Sequence, residues 1–259
     1  MPRPPIRLAL LLSGLLILLP LPARGAAPDP GSPALLIAAA ADLVFAFREI
    51  TPAFERERGV AVRVTLGSSG NLTQQIQQGA PFDAFFSANR AYVETLAAAG
   101  AVRRESLRPY ARGILVVAGH ADGPPLAELG DLAGDRIRRV AIANPAHAPY
   151  GMAAREALER AGLWERVRPK LVYGESIGQA QQFLRTGSVD AALLALSVAM
   201  APEFRHVAVD QGLYRPLVQW AAVTAVSRQP DAAAAFIDFV VGPGRPVLQR
   251  FGFLSPGDR

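Results

Sequence analysis

Leu35–Leu36–Ile37–Ala38–Ala39–Ala40–Ala41–Asp42–Leu43 is the stretch on which the reading of the whole chain turns. It opens as an apolar run of strand length. The period changes after Asp42, where Leu43, Phe47, Ile50 and Phe54 recur at helical spacing as far as Gly59. Pro52 predicts a kink or a division within that helix. Moving outward, residues 60–65 read as the next strand, Gly67–Ser68–Ser69–Gly70 as a turn, and residues 71–78 as a short helix with Leu72 and Ile76 inward and Gly79 as its stop. Residues 82–87 are strand-like and 91–99 helical, closed by Gly100. This βαβα rhythm predicts an α/β fold with a mostly parallel sheet and helices on both faces.

A second unit repeats the pattern. Strands are expected at 113–118 and 139–143, then a helix at 152–161 stopped by Gly162. Leu171–Val172–Tyr173 leads into Gly174–Glu175–Ser176–Ile177–Gly178 and a helix at 179–185. A buried strand at 189–196, a strand at 221–226 and helices at 231–241 and 245–251 complete the chain. No repeat, low-complexity run or linker divides the two units, so the chain is expected to cross between them more than once. The expected division is lobe I at 33–112 plus 223–259 and lobe II at 113–222.

Composition narrows the function. The 259 residues hold no cysteine, which excludes a disulfide framework, a thiolate nucleophile, a Cys-ligated zinc and an acyl-cysteine membrane anchor. The net charge of +5 suggests nucleic acid until the first residues are considered. Arg3 and Arg7, an apolar block from Leu8 to Leu19, and the small residues after Pro22 have the order of a cleavable secretory signal peptide, expected at 1–26. Without it, 24 basic residues face 22 acidic ones and are scattered among them, so no phosphate-tracking stripe remains. His120, His147 and His206 are widely separated, and no P-loop or His-Glu-x-x-His is present, which argues against an exported hydrolase. Gly242–Pro243–Gly244 follows no strand and reads as a turn between helices.

The chemistry is expected in the turns that follow strands, where ligands of parallel sheets bind and helix N-termini point free amides outward. Four such turns carry small or polar residues: Ala41–Asp42, Gly67–Ser68–Ser69–Gly70, His147–Ala148–Pro149–Tyr150–Gly151 and Gly174–Glu175–Ser176–Ile177–Gly178. Each also has a purely structural reading as cap or turn former. Together they can enclose a small oxyanion by hydrogen bonds alone.

Those turns, together with Ala38–Ala39–Ala40–Ala41–Asp42–Leu43, Gly79–Ala80–Pro81, Phe86–Ser87–Ala88, Asn144–Pro145–Ala146 and Arg250–Phe251–Gly252–Phe253, resemble the periplasmic molybdate-binding proteins of ATP-driven importers. The resemblance runs from about Leu35 to Phe253 in order and spacing. It implies a two-lobed periplasmic binding protein fold of type II, a monomer free in the periplasm, and delivery of molybdate or tungstate to an ABC transporter permease in the inner membrane. No cofactor is implied, and molybdenum would be met only as an oxyanion. Carried over residue by residue, Ser69 donates its hydroxyl and amide, Tyr150 and Ile177 donate amides, Asp42 stands at the start of the first helix, and Ser68 and Ser176 form a second tier.

Two positions depart from the family pattern. Asp42 stands where many molybdate binders have a hydroxyl or amide residue, and Ala195 where some have a tyrosine. A carboxylate in the cleft repels a dianion and favours a protonated oxyanion such as hydrogen phosphate or vanadate; alternatively, Asp42 turns back to cap its helix and offers only its amide. A sensor subunit that closes in the same way and signals to a membrane receptor is the other alternative.

Overall fold

The computed structural model describes residues 33–258, so the leader expected at 1–26 lies outside the described residues. In chain order the first half contains β1 (Leu35–Ala40), α1 (Val44–Arg58), β2 (Val62–Gly67), α2 (Ser69–Gln77), β3 (Ala84–Ser87), α3 (Arg90–Ala98) and β4 (Arg108–Gly113). There follow β5 (Leu115–His120), β6 (Val140–Ala143), α4 (Pro149–Arg160), α5 (Trp164–Val167), β7 (Leu171–Gly174), α6 (Ile177–Arg185), β8 (Ala191–Ala195), α7 (Leu196–Ala199) and β9 (Phe204–Ala208). The last elements are β10 (Leu217–Val223), α8 (Pro230–Val241) and α9 (Arg245–Arg250).

The strands form two five-stranded sheets, ordered β2-β1-β3-β10-β4 and β7-β6-β8-β5-β9. Parallel pairing joins β1 to β2 and β3, and β6 to β7 and β8. β10 and β5, by contrast, run antiparallel to both their neighbours. The sheets are therefore mixed in equal parts rather than mostly parallel, because each takes in one strand from the crossing between halves. The first crossing is short: Gly113 ends β4 in one sheet and Leu115 opens β5 in the other, where one continuous strand at 113–118 is expected from the apolar run. On the return, Leu217–Val223 hydrogen-bonds to β3 and β4 in the first sheet, ahead of the return expected at 223.

Leu43, Phe47, Ile50 and Phe54 are buried as their spacing requires. α1 nevertheless runs through Pro52 undivided, with Pro52 and Arg48, the residue whose carbonyl it leaves without an N–H partner, both exposed. It stops at Gly59, whose φ of 66° is the left-handed cap that other residues avoid. Phe47 meets Phe86 edge-to-face at 5.2 Å and Phe236 at 5.7 Å, and Phe86 meets Tyr110 at 5.3 Å. These contacts fix the ring of Tyr110 in the core of the first half, with its hydroxyl toward the junction of the sheets.

Candidate functional site

β1, β2, β6 and β7 all end toward the junction between the two sheets. The turns that follow them bring Asp42, Ser69, Tyr150 and Ile177 around one cavity of about 10 Å³, with Ala88 at the end of β3. That is room for about one water-sized sphere. Ser69, Tyr150 and Ile177 lie in the first turns of α2, α4 and α6, where the helix provides no acceptor for their amides.

The α2 turn is built from neutral groups. Ser68 caps the helix, its Oγ accepting from Asn71 N–H at 3.4 Å, and Ser69 is fully buried. Ser69 Oγ accepts the amide of Ala88 at 3.0 Å, which occupies a lone pair and leaves the hydroxyl proton free. His147 reaches across from the other half. Its carbonyl accepts the Gly70 amide at 2.9 Å, and Nδ1 lies 2.9 Å from Ser68 Oγ. A Cβ at Gly70 would stand 2.7 Å from that carbonyl, so this close approach requires glycine. His147 is thus a strap at the rim, with Nε2 3.4 Å from Glu175. Ser176 caps α6 by accepting from Gln179 N–H at 3.3 Å and is not among the residues lining the cavity. Ala195 is buried within β8 opposite Leu115 and does not line it either.

The first turn is built differently. Ala40 precedes it, no side chain caps it, and the carboxylate of Asp42 is buried. Oδ2 accepts from Gln219 Nε2 at 2.5 Å, whereas Oδ1 has no hydrogen-bond partner in the protein. No side-chain hydrogen bond caps this turn, and the carboxylate is held by Gln219 instead. Gln219 Nε2 also reaches the Tyr150 hydroxyl at 3.2 Å, and its Oε1 accepts the Tyr110 hydroxyl at 2.6 Å. Burial pushes the Asp42 pKa up from 3.8 to about 6, while Gln219, the Tyr150 hydroxyl and the amides of Asp42 and Leu43 pull it partly back. Tyr110 and Tyr150 are pushed well above the usual phenol value, first by burial and then by the negative charge of Asp42. Tyr150 is therefore an anchored core residue rather than a surface aromatic. A Cβ on Gly113 would lie 1.9 Å from its hydroxyl, so β4 can pass only as glycine at that point.

Gln219, Tyr110 and Ser197, whose hydroxyl donates to the Asp42 carbonyl at 2.8 Å, are absent from the sequence reading of the site. One signal for Gln219 exists. In Leu217–Val218–Gln219–Trp220–Ala221 it shares the period-two face of Leu217 and Ala221, and a polar residue on a core face requires a partner. For Tyr110 and Ser197 no local signal exists.

A two-sheet α/β chain whose strand ends and helix starts enclose a small cleft has the architecture of a solute-binding protein. The family model of bacterial extracellular solute-binding proteins matches residues 35–254, and the chain belongs to that family, the non-enzymatic solute-binding components of ABC transport. It is 33% identical over 223 residues to the molybdate-binding protein ModA of Rhodobacter capsulatus, covering 85% of this chain and 88% of the relative. The solved structure of the Azotobacter vinelandii periplasmic molybdate-binding protein superposes with a TM-score of 0.80 at 30% identity, covering 86% of this chain and 99% of that one. The sulfate-binding protein SubI of Mycobacterium tuberculosis shares the fold, with a TM-score of 0.73 at 18% identity over 86% of this chain and 87% of that one. Among the described residues no helix is long and apolar enough to cross a membrane.

Proposed function

We propose that this protein captures a tetrahedral oxyanion, molybdate or tungstate, in the periplasm and delivers it to the permease of an ABC transporter. The observation that carries this reading is the convergence of the turns at Asp42, Ser69, Tyr150 and Ile177 on one small cavity between the two sheets, which widens to take an anion larger than water. The hydroxyl and amide of Ser69 and the amides of Asp42, Tyr150 and Ile177 are the donors. Aimed before the ligand arrives and shielded from water, such neutral dipoles replace the hydration shell of an anion without a cationic side chain. The molybdate-binding relatives support the choice of anion. Contacts between the halves, from Gly70 to His147 and from Gln219 to Tyr150, hold the cleft closed, and an anion touching both halves adds differential stability to that form. The two sheets with their attached helices are the lobes that move, and the closed monomer is the species presented to the permease.

Calorimetry with molybdate, tungstate, sulfate, phosphate and vanadate tests this reading. Molybdate and tungstate are expected to bind more tightly than sulfate. A panel in which no oxyanion binds removes the function.

A further inference from the structure

Among the described residues of the first half two carboxylates are buried, and they are satisfied unequally. Asp83 has both oxygens engaged, Oδ2 by Leu36 N–H at 2.8 Å and Oδ1 by the Ser227 hydroxyl at 2.7 Å. Asp42 has Oδ2 engaged by Gln219 at 2.5 Å, and although the Tyr150 hydroxyl and the amides of Asp42 and Leu43 lie close enough to lower its pKa, none of them meets Oδ1 in hydrogen-bond geometry. A buried charged oxygen left unbonded is unfavourable enough to need a reason.

Gln219 does not supply the missing bond, because its orientation is set from behind. Its Oε1 accepts the Tyr110 hydroxyl at 2.6 Å, so the amide nitrogen must face Asp42 and Tyr150, and both of its N–H bonds are spent there. Asp42 lines the cavity, and Oδ1 is the one oxygen of its carboxylate that no protein group satisfies there. A fully deprotonated oxyanion has acceptors only, and so has a carboxylate. Two acceptors, both negative, bond only with a proton between them.

We propose that Asp42 meets the bound anion through one shared proton, and that Gln219 and Tyr110 are the positioning residues that present Oδ1 for it. Resting on the oxyanion reading above, this makes capture of a dianion proton-coupled. The proton comes from the solvent, lies between Oδ1 and an oxygen of the anion, and returns to solvent on release, so charge and atoms balance with no covalent step.

The surroundings favour the proton. Burial already raises the Asp42 pKa to about 6 before an anion adds its charge. Tyr110 and Tyr150 are the titratable groups that face it, and no cation pairs with it among the described residues. The turn packs on α1, α6, α7 and β2, and the charges of those elements point elsewhere. In α1, Arg48 lies over Phe45, Glu49 pairs with Arg250, Glu55 accepts from Val62 N–H, Arg58 pairs with Glu57, and Arg56 is exposed. Arg63 of β2 is exposed, Arg185 of α6 pairs with Glu203, and α7 carries no charge. Among the elements that bring the tyrosines, Arg112 of β4 donates to the Asp258 carbonyl and Arg108 is exposed, while in α4 Arg155 and Arg160 pair with Glu159 and Glu156.

Titration calorimetry of the wild-type chain with sodium molybdate, in two buffers of different ionisation enthalpy, reads the proton directly. At about pH 7.5 close to one proton is expected to be taken up per anion, with affinity falling about tenfold per pH unit from about pH 7 to about pH 8.5. Asp42→Asn is expected to bind molybdate with no proton uptake and a flat profile. Tyr110→Phe frees Gln219 from its fixed orientation, loosens the Gln219 hydrogen bond that holds the Asp42 pKa down, and is expected to move the onset of the affinity loss to higher pH. Molybdate bound by the wild type without proton uptake overturns the shared proton and leaves the oxyanion reading standing. Failure of every oxyanion to bind at any pH overturns the oxyanion reading itself. An unmoved Tyr110→Phe profile removes the positioning role.

Discussion

The turns after β1 and β2 are neighbours in one sheet, both lead from a parallel strand into a helix, and both line the same cavity. They are finished in opposite ways. After β2, Ser68 caps the helix and Ser69 has its lone pair occupied by Ala88, so the turn is electrically neutral and its donors are aimed. After β1, no side chain caps the helix, and a carboxylate is held by one oxygen with the other unbonded. The first kind of turn is complete before a ligand arrives, whereas the second is completed by a proton or a ligand. A binding site can thus combine a fixed, neutral anion cradle with a single group whose charge state is still open.

The largest expected effect comes from removing the charge from the β1 turn. Burial raises the folded pKa of Asp42 from 3.8 to about 6, a shift equivalent to about 3 kcal/mol. The native state therefore holds the proton more tightly than the unfolded chain across that window. Stability falls as pH rises from about 4 to about 6 and stays lower above it. Asp42→Asn is expected to cancel this contribution, which urea unfolding of both proteins at about pH 4 and about pH 7.5 would measure; parallel profiles would break the contrast between the turns.

Next is the neutral turn. Ser69→Ala removes a hydroxyl donor to a charged ligand, worth about 1.5–3 kcal/mol, so molybdate affinity is expected to fall roughly 10- to 100-fold with melting temperature little changed. An unchanged affinity would take Ser69 out of the site. Gly113→Ala tests the packing behind the carboxylate. With a Cβ 1.9 Å from the Tyr150 hydroxyl, the strand or the ring must shift, and a loss of about 1–3 kcal/mol in folding stability is expected from denaturant titration. Ser68→Ala leaves the β2 turn uncapped, like the β1 turn, and should cost about 1 kcal/mol of stability by the same measurement. No loss there would mean that the contact with His147, rather than the cap, is the role of Ser68.

Much of this arrangement is legible in the order of residues. The change of period at Asp42 places β1 and α1, and the four small or polar turns are the ones that meet at the cavity. The two strands that the pattern misses, Arg108–Gly113 and Phe204–Ala208, are both edge strands. An edge tolerates Pro109, and it tolerates exposed Arg205 and His206, so neither segment shows the apolar run of a central strand. Tyr110 lies in the first of these edge strands, and Gln219 lies ahead of the apolar run at 221–226, so neither is marked by the pattern.

By itself the sequence determines the succession of central strands and of the helices that begin at the site, the places where those helices start with free amides, and the residues standing there, because all of these follow from periods of two and 3.6 and from local caps. Which sheet each strand joins is decided only in three dimensions, since Ile114 is enough to pass the chain from one sheet to the other and Leu217–Val223 returns before the apolar pattern marks it. The state of Asp42 is likewise tertiary. Its partner Gln219 lies 177 residues away, and burial and a donor fixed by Tyr110, rather than any neighbour in sequence, set how tightly its carboxyl holds a proton.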